Sequence, residues 1–96
     1  MLAVLILSDD EMTGVSHSME LADLVKKHFE GRRVQVIGPA SAAIGKIQDI
    51  YRNIFYIKHR DYEVLVEAKD AMEAYIVRKE WNTDTVQFDF NPMNGY

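Results

Sequence analysis

Lys46, Tyr51 and Arg52 are the residues whose types and spacing are best suited to chemistry in this chain, and that chemistry is phosphate and base recognition. Lysine offers a point charge to a phosphate, arginine a planar fork of donors, and tyrosine a face on which a base can stack. Lys58 and Arg60 extend the set at the end of the run GPASAAIGKIQDIYRNIFYIKHR, residues 38–60. Between Ile44 and Arg60 four Lys/Arg stand against one acid, Asp49, while the rest of the chain holds seven Lys/Arg against fourteen Asp/Glu. The net charge of −4 therefore hides a local basic stretch. Salt screens charges beyond about 8–10 Å, so the local distribution outweighs the total, and a phosphate-binding segment is the leading explanation.

Other chemistries fit less well. Gly38…Gly45-Lys46 resembles a phosphate-cradling loop only in outline. Six residues separate the glycines where four are needed, and Ile47 stands where a Ser or Thr would bind magnesium. No ATPase activity is expected of the chain. His17, His28 and His59 share no metal-ligand spacing, and without cysteine there is neither a thiolate zinc site nor a disulfide framework. Asp9-Asp10-Glu11 reads as a solvated loop, since nothing nearby supplies a fourth spaced oxygen ligand. No cofactor is expected in this chain.

The elements that must position these residues follow from hydropathic period. LAVLIL, residues 2–7, is a continuous apolar run, the pattern of a central strand. Ser16 or Ser18 caps a first helix, predicted over 16–30, with Met19, Ala22, Val25 and Phe29 on its buried stripe and Gly31 as its stop. Val34, Val36 and Ile37 form a short second strand ended by Gly38-Pro39. Residues 39–52 read as a long loop with at most one helical turn near Ile47–Ile50. Asn53–Lys58 is a β-branched and aromatic third strand. Asp61 caps a second helix over 62–80, burying Leu65, Ala68, Met72, Tyr75 and Ile76. Asn82-Thr83 turns the chain into a fourth strand through Val86, Phe88 and Phe90, which Asn91-Pro92 ends.

Ninety-six residues make a single domain, 1–96, large enough to bury its own core. The opening apolar run is far short of a membrane span and lacks the flanks of a signal peptide, so a cytoplasmic protein with no membrane contact is expected. The order β-α-β-β-α-β predicts an α+β, ferredoxin-like fold: a four-stranded antiparallel sheet in the order 4-1-3-2 with both helices on one face. Leu5, Leu7, Val25, Phe29, Val36, Ile57, Leu65, Met72, Phe88 and Phe90 are the expected core.

Val36-Ile37-Gly38-Pro39-Ala40, then Ile44-x-Lys46, then Tyr51-Arg52 and the strand through Ile57-Lys58, resembles the C-terminal domain of the primosomal protein N′ (PriA) family of replication-restart DNA helicases. The ending Val86-Gln87-Phe88-Asp89-Phe90-Asn91-Pro92-Met93 resembles that family's final strand. The resemblance implies a C-terminal domain fragment of a larger helicase, whose ATP, magnesium and zinc sites would all lie upstream. It also implies a βαββαβ fold and a role in binding branched or single-stranded DNA and in docking the acidic tail of single-stranded-DNA-binding protein. Lys46, Tyr51 and Arg52 fall on the matching motif. At the start of the second helix, where the family places its tail pocket, the match is poor and Arg60 is the nearest substitute. Two other readings stay open: a protein-docking module for an acidic peptide with no DNA contact, and a stand-alone ferredoxin-like regulatory domain.

Overall fold

The computed structural model describes residues 1–82 and 84–91, with Ala43 and Ile44 described by their backbone alone. Two helices and an antiparallel sheet make the α+β class expected. The elements are β1 (Leu2–Ser8), α1 (Glu11–His28), β2 (Gln35–Ile47), β3 (Ile50–Lys58), α2 (Tyr62–Lys79) and β4 (Thr85–Asp89). They join in the order β2-β3-β1-β4, every neighbouring pair antiparallel.

β1 lies between β3 and β4, and its period of two sorts the apolar run onto two faces. Leu2, Val4 and Ile6 join Phe55 and Ile57 of β3, Leu21, Ala22, Val25 and Phe29, and Leu65, Ala68 and Met72 of α2 in one core. Ala3, Leu5 and Ile54 lie on the opposite face with Ala42, and Leu7 and Tyr56 pack against them. Leu5 and Leu7 are therefore not part of the helix-covered core, because alternation puts them one register away from it. Val36, Phe88 and Phe90 pack against that core while partly buried.

α1 starts five residues before the predicted position. Its N-cap is Asp10 rather than Ser16 or Ser18, with the Thr13 amide and hydroxyl donating to the Asp10 carboxylate at 2.9 and 2.6 Å. Ser18 instead donates to the Val15 carbonyl at 2.8 Å and is buried. The added residues extend the buried stripe to Gly14 and Ser18, ahead of Leu21, Ala22 and Val25. Met19, expected inside, is 53% exposed. Gly14 meets the sheet closely: a Cβ there would lie 3.1 Å from Ser8 Cβ and 3.3 Å from Asn53 Nδ2.

The largest departure is the segment 39–52. It is a hairpin, not a long loop. β2 continues for thirteen residues and pairs with β3 as far as Ile47↔Ile50, closing on Gln48 and Asp49. Both turn residues have positive φ, 50° and 65°, the requirement of a tight hairpin turn of the primed type. Register shifts between Ile37 and Ala40 and between Ser41 and Lys46 absorb the Gly38-Pro39 break. As an edge strand, β2 tolerates a proline that lacks a ladder donor. Gly38 sits at φ 97°, with Ile54 carbonyl oxygen 3.1 Å from where a Cβ would be. β2 is thus a bent strand, interrupted at two register shifts.

α2 is capped as expected by Asp61, which accepts from the Glu63 amide at 3.0 Å. Thr83, Pro92 and Met93, used above for a turn and for the closing motif, lie outside the described residues.

Candidate nucleic-acid interface

Lys46 and Tyr51 face each other across the hairpin, one pair from its turn. The Lys46 ammonium lies 4.9 Å from the Tyr51 ring centroid and 3.5 Å from Asp49 Oδ1. Tyr51 first, and Asp49 after it, hold the Lys46 ammonium above its ordinary range. The ring face that Lys46 covers is closed to a base. Tyr51 thus holds a cation on one face of its ring.

Arg52 follows Tyr51 in an extended strand and so belongs to the other face of the sheet, opposite Leu7. Lys58 shares that face, six residues along β3, or about 20 Å away at the rise of a strand. Its ladder partner is Gln35, and its side chain is exposed. Arg60 sits beyond the strand, where it lines a shallow depression of about 420 Å3 with Arg33 and His59. His59 Nδ1 accepts from the Asp61 amide at 2.9 Å, which leaves the ring proton on Nε2. The five residues singled out from the sequence are consequently spread over three places: the hairpin tip (Lys46, Tyr51), one sheet face (Arg52, Lys58) and the start of α2 (Arg60).

Topology adds something that spacing concealed. From Arg32 to Arg60 the chain carries six of its eleven Lys/Arg and one of its fifteen acids. That span is the β2–β3 hairpin with its flanks, one half of the sheet. The other half carries Asp9 and Asp10 beside β1 and Asp84 and Asp89 at β4. Positive and negative charge are segregated across the sheet, which a one-dimensional tally understates.

Two constellations escaped the sequence. His17 Nδ1 donates to Asp84 Oδ2 at 2.6 Å, with the Asp84 carboxylate fully buried, and the Trp81 ring stacks on the imidazole at 3.7 Å and 15°. This contact ties α1 to the segment entering β4. Glu67 of α2 accepts from Arg32 at 2.6 Å and from His28 at 2.7 Å, and these two donors, Arg32 foremost, hold its carboxyl below the ordinary range. No local motif announces either one, because each joins residues far apart in the chain. Among the described residues no group of three or more His, Asp or Glu is gathered to hold a metal, and no helix is long and apolar enough to cross a membrane.

No family model and no curated protein matches the chain. Among solved structures it is similar to a chain described as "De novo designed protein Foldit4", with a TM-score of 0.63 and 14% identity over 94% of each chain. At that identity the likeness bears on the fold alone, and the chain shares with that protein its overall arrangement of helices and strands.

Proposed function

We propose that this chain is the C-terminal accessory domain of a replication-restart helicase of the primosomal protein N′ family, built on a ferredoxin-like frame, and that it grips branched or single-stranded DNA. The charge segregation across the sheet carries the reading. A basic hairpin on an acidic body attracts phosphate locally and orients the domain, since its acidic half is repelled from the same backbone. Lys46, beside Tyr51 at the turn, and Lys58, exposed at the far end of β3, put cations at both ends of the hairpin. Chemistry on ATP belongs, in this reading, to other parts of the parent protein.

The test is a titration of labelled fork DNA at several salt concentrations. Three phosphate contacts to single-stranded arms give a slope of log K against log salt of about −2, each contact contributing about −0.7. The double variant Lys46→Gln, Lys58→Gln should lower the slope by about 1.4 and weaken binding to all sequences alike. An unchanged slope and affinity would remove the hairpin from DNA binding.

A second reading, docking of an acidic peptide, is favoured by one observation: Arg33, His59 and Arg60 surround a single depression beside the start of α2. An acidic tail of single-stranded-DNA-binding protein would meet two guanidinium groups there. Arg60→Ala should weaken capture of an acidic peptide while leaving the fork-DNA slope nearly unchanged if the two sites are separate.

A further inference from the structure

We infer that a single-stranded nucleic acid crosses the helix-free face of the sheet along β3, over the buried Ala3, Leu5 and Ile54, stacking a base on Tyr56 with phosphates at Lys58 and Arg52. The inference rests on the DNA-binding reading above and changes which residues carry it. β-strand alternation puts Arg52, Ile54, Tyr56 and Lys58 on the face away from the helices. Their placement is confirmed by packing: Ile54 and Tyr56 belong to the cluster with Ala3 and Leu5, whereas Phe55 and Ile57 belong to the helix-covered core. The order along β3 on this face is cation, apolar, aromatic, cation, spread over about 20 Å. That is the combination by which single strands are held, a basic track with an aromatic face between its charges.

The neighbouring strands favour the same path. Ile37, the ladder partner of Tyr56 on β2, is 43% exposed and widens the apolar platform beside the ring. On the other side Ala3 pairs with both Tyr56 and Asp89. Asp89 thus lies two strands from Tyr56, about 10 Å away at the strand spacing, and its charge steers a phosphate chain toward the β2–β3 side. Sheets that hold single-stranded RNA use aromatics on their central strands in the same way. Tyr51 cannot serve as that platform on the ring face that Lys46 covers.

Fluorescein-labelled oligothymidylate is the probe, with Tyr56→Leu as the main variant because leucine keeps apolar packing on Leu5 and Ile54 while removing the ring. Affinity should fall about tenfold with an unchanged salt slope, as loss of one stacked base requires. Tyr51→Leu should cost less than about threefold by the same measure. Lys58→Gln should reduce the slope by about 0.7. Photocrosslinking of wild-type protein to bromodeoxyuridine-substituted strands should label the peptide bearing Tyr56, a readout that needs no variant to fold. Wild-type affinity in Tyr56→Leu, or crosslinks confined to the hairpin tip, would overturn the inference while a persisting salt slope left the DNA-binding reading standing. Absence of any salt-dependent binding by wild type would overturn both.

Discussion

His17 and Asp84 stand 67 positions apart in the chain, yet they make one of the shortest polar contacts in the molecule. A fully buried carboxylate is costly unless it accepts hydrogen bonds, so the imidazole that donates to it secures the entry to β4. Trp81 closes over the same ring and meets Tyr75 edge-on at 5.7 Å, while Tyr75 donates to Glu20 at 3.1 Å. Burial first, then the Glu20 carboxylate, pushes the Tyr75 phenol above its ordinary range. His17→Ala removes both a donor and a stacked ring. It should lower unfolding free energy by about 1–3 kcal/mol in urea titrations, the cost of leaving a buried acceptor short of a partner. His17→Asn, which keeps a donor, should recover part of that loss. A loss under about 0.5 kcal/mol for His17→Ala would show that the contact adds nothing beyond the background of surface substitutions.

Hairpin β2–β3 is the element on which the proposed function depends, and its turn is chemically imperfect. Gln48 and Asp49 both occupy the left-handed region, which costs a residue with a Cβ about 1–2 kcal/mol. Asn-Gly is the pair that such turns prefer. The double substitution Gln48→Asn, Asp49→Gly should therefore raise Tm by several degrees, since ~1 kcal/mol moves a domain of this size by about 4–8 °C. The same change removes the only acid in the basic stretch, the carboxylate 3.5 Å from the Lys46 ammonium. Fork-DNA affinity should rise together with stability. A stabilised variant with weakened DNA binding would mean that Asp49 holds Lys46 where it is needed rather than competing for it.

At the scale of the whole molecule, pH acts through carboxylates that the fold has paired. The Thr13 hydroxyl and then its amide hold Asp10 below the ordinary carboxylate range, and Arg32 with His28 does the same for Glu67. Both folded-state values are depressed. Their stabilisation is thus complete above the unfolded carboxylate range and is lost as pH falls through the folded values. Glu67→Gln should be less stable than wild type at neutral pH, and the two should converge as the solution is acidified below the ordinary Glu value of 4.5. Thermal melts from neutral to strongly acidic pH read this directly. A constant gap across that range would mean that the Glu67 contacts do not depend on its charge. High salt should narrow the gap at neutral pH, because the three side chains are partly exposed.

Much of the architecture was legible before any coordinates. Unbroken apolar β1, a helical stripe through Ala22, Val25 and Phe29, the Asp61 cap of α2 and alternating Val86 and Phe88 are local patterns, and local patterns determine class and element order. The start of α1 was misread because two serines were as good by type as Asp10, and only the Thr13 contacts decide between them. The hairpin was misread because Gly38-Pro39 and two positive-φ residues look like loop chemistry until an edge strand and its bulges accommodate them. The candidate site divided along the same line. Composition was enough to show that residues 44–60 are basic, since charge is additive along a chain. Strand alternation, cross-strand pairing and the order of strands decided that Tyr51 carries Lys46, that Arg52 and Lys58 share a face with Tyr56, and that His17 reaches Asp84. Those relations join residues distant in sequence, and they exist only once the chain has packed.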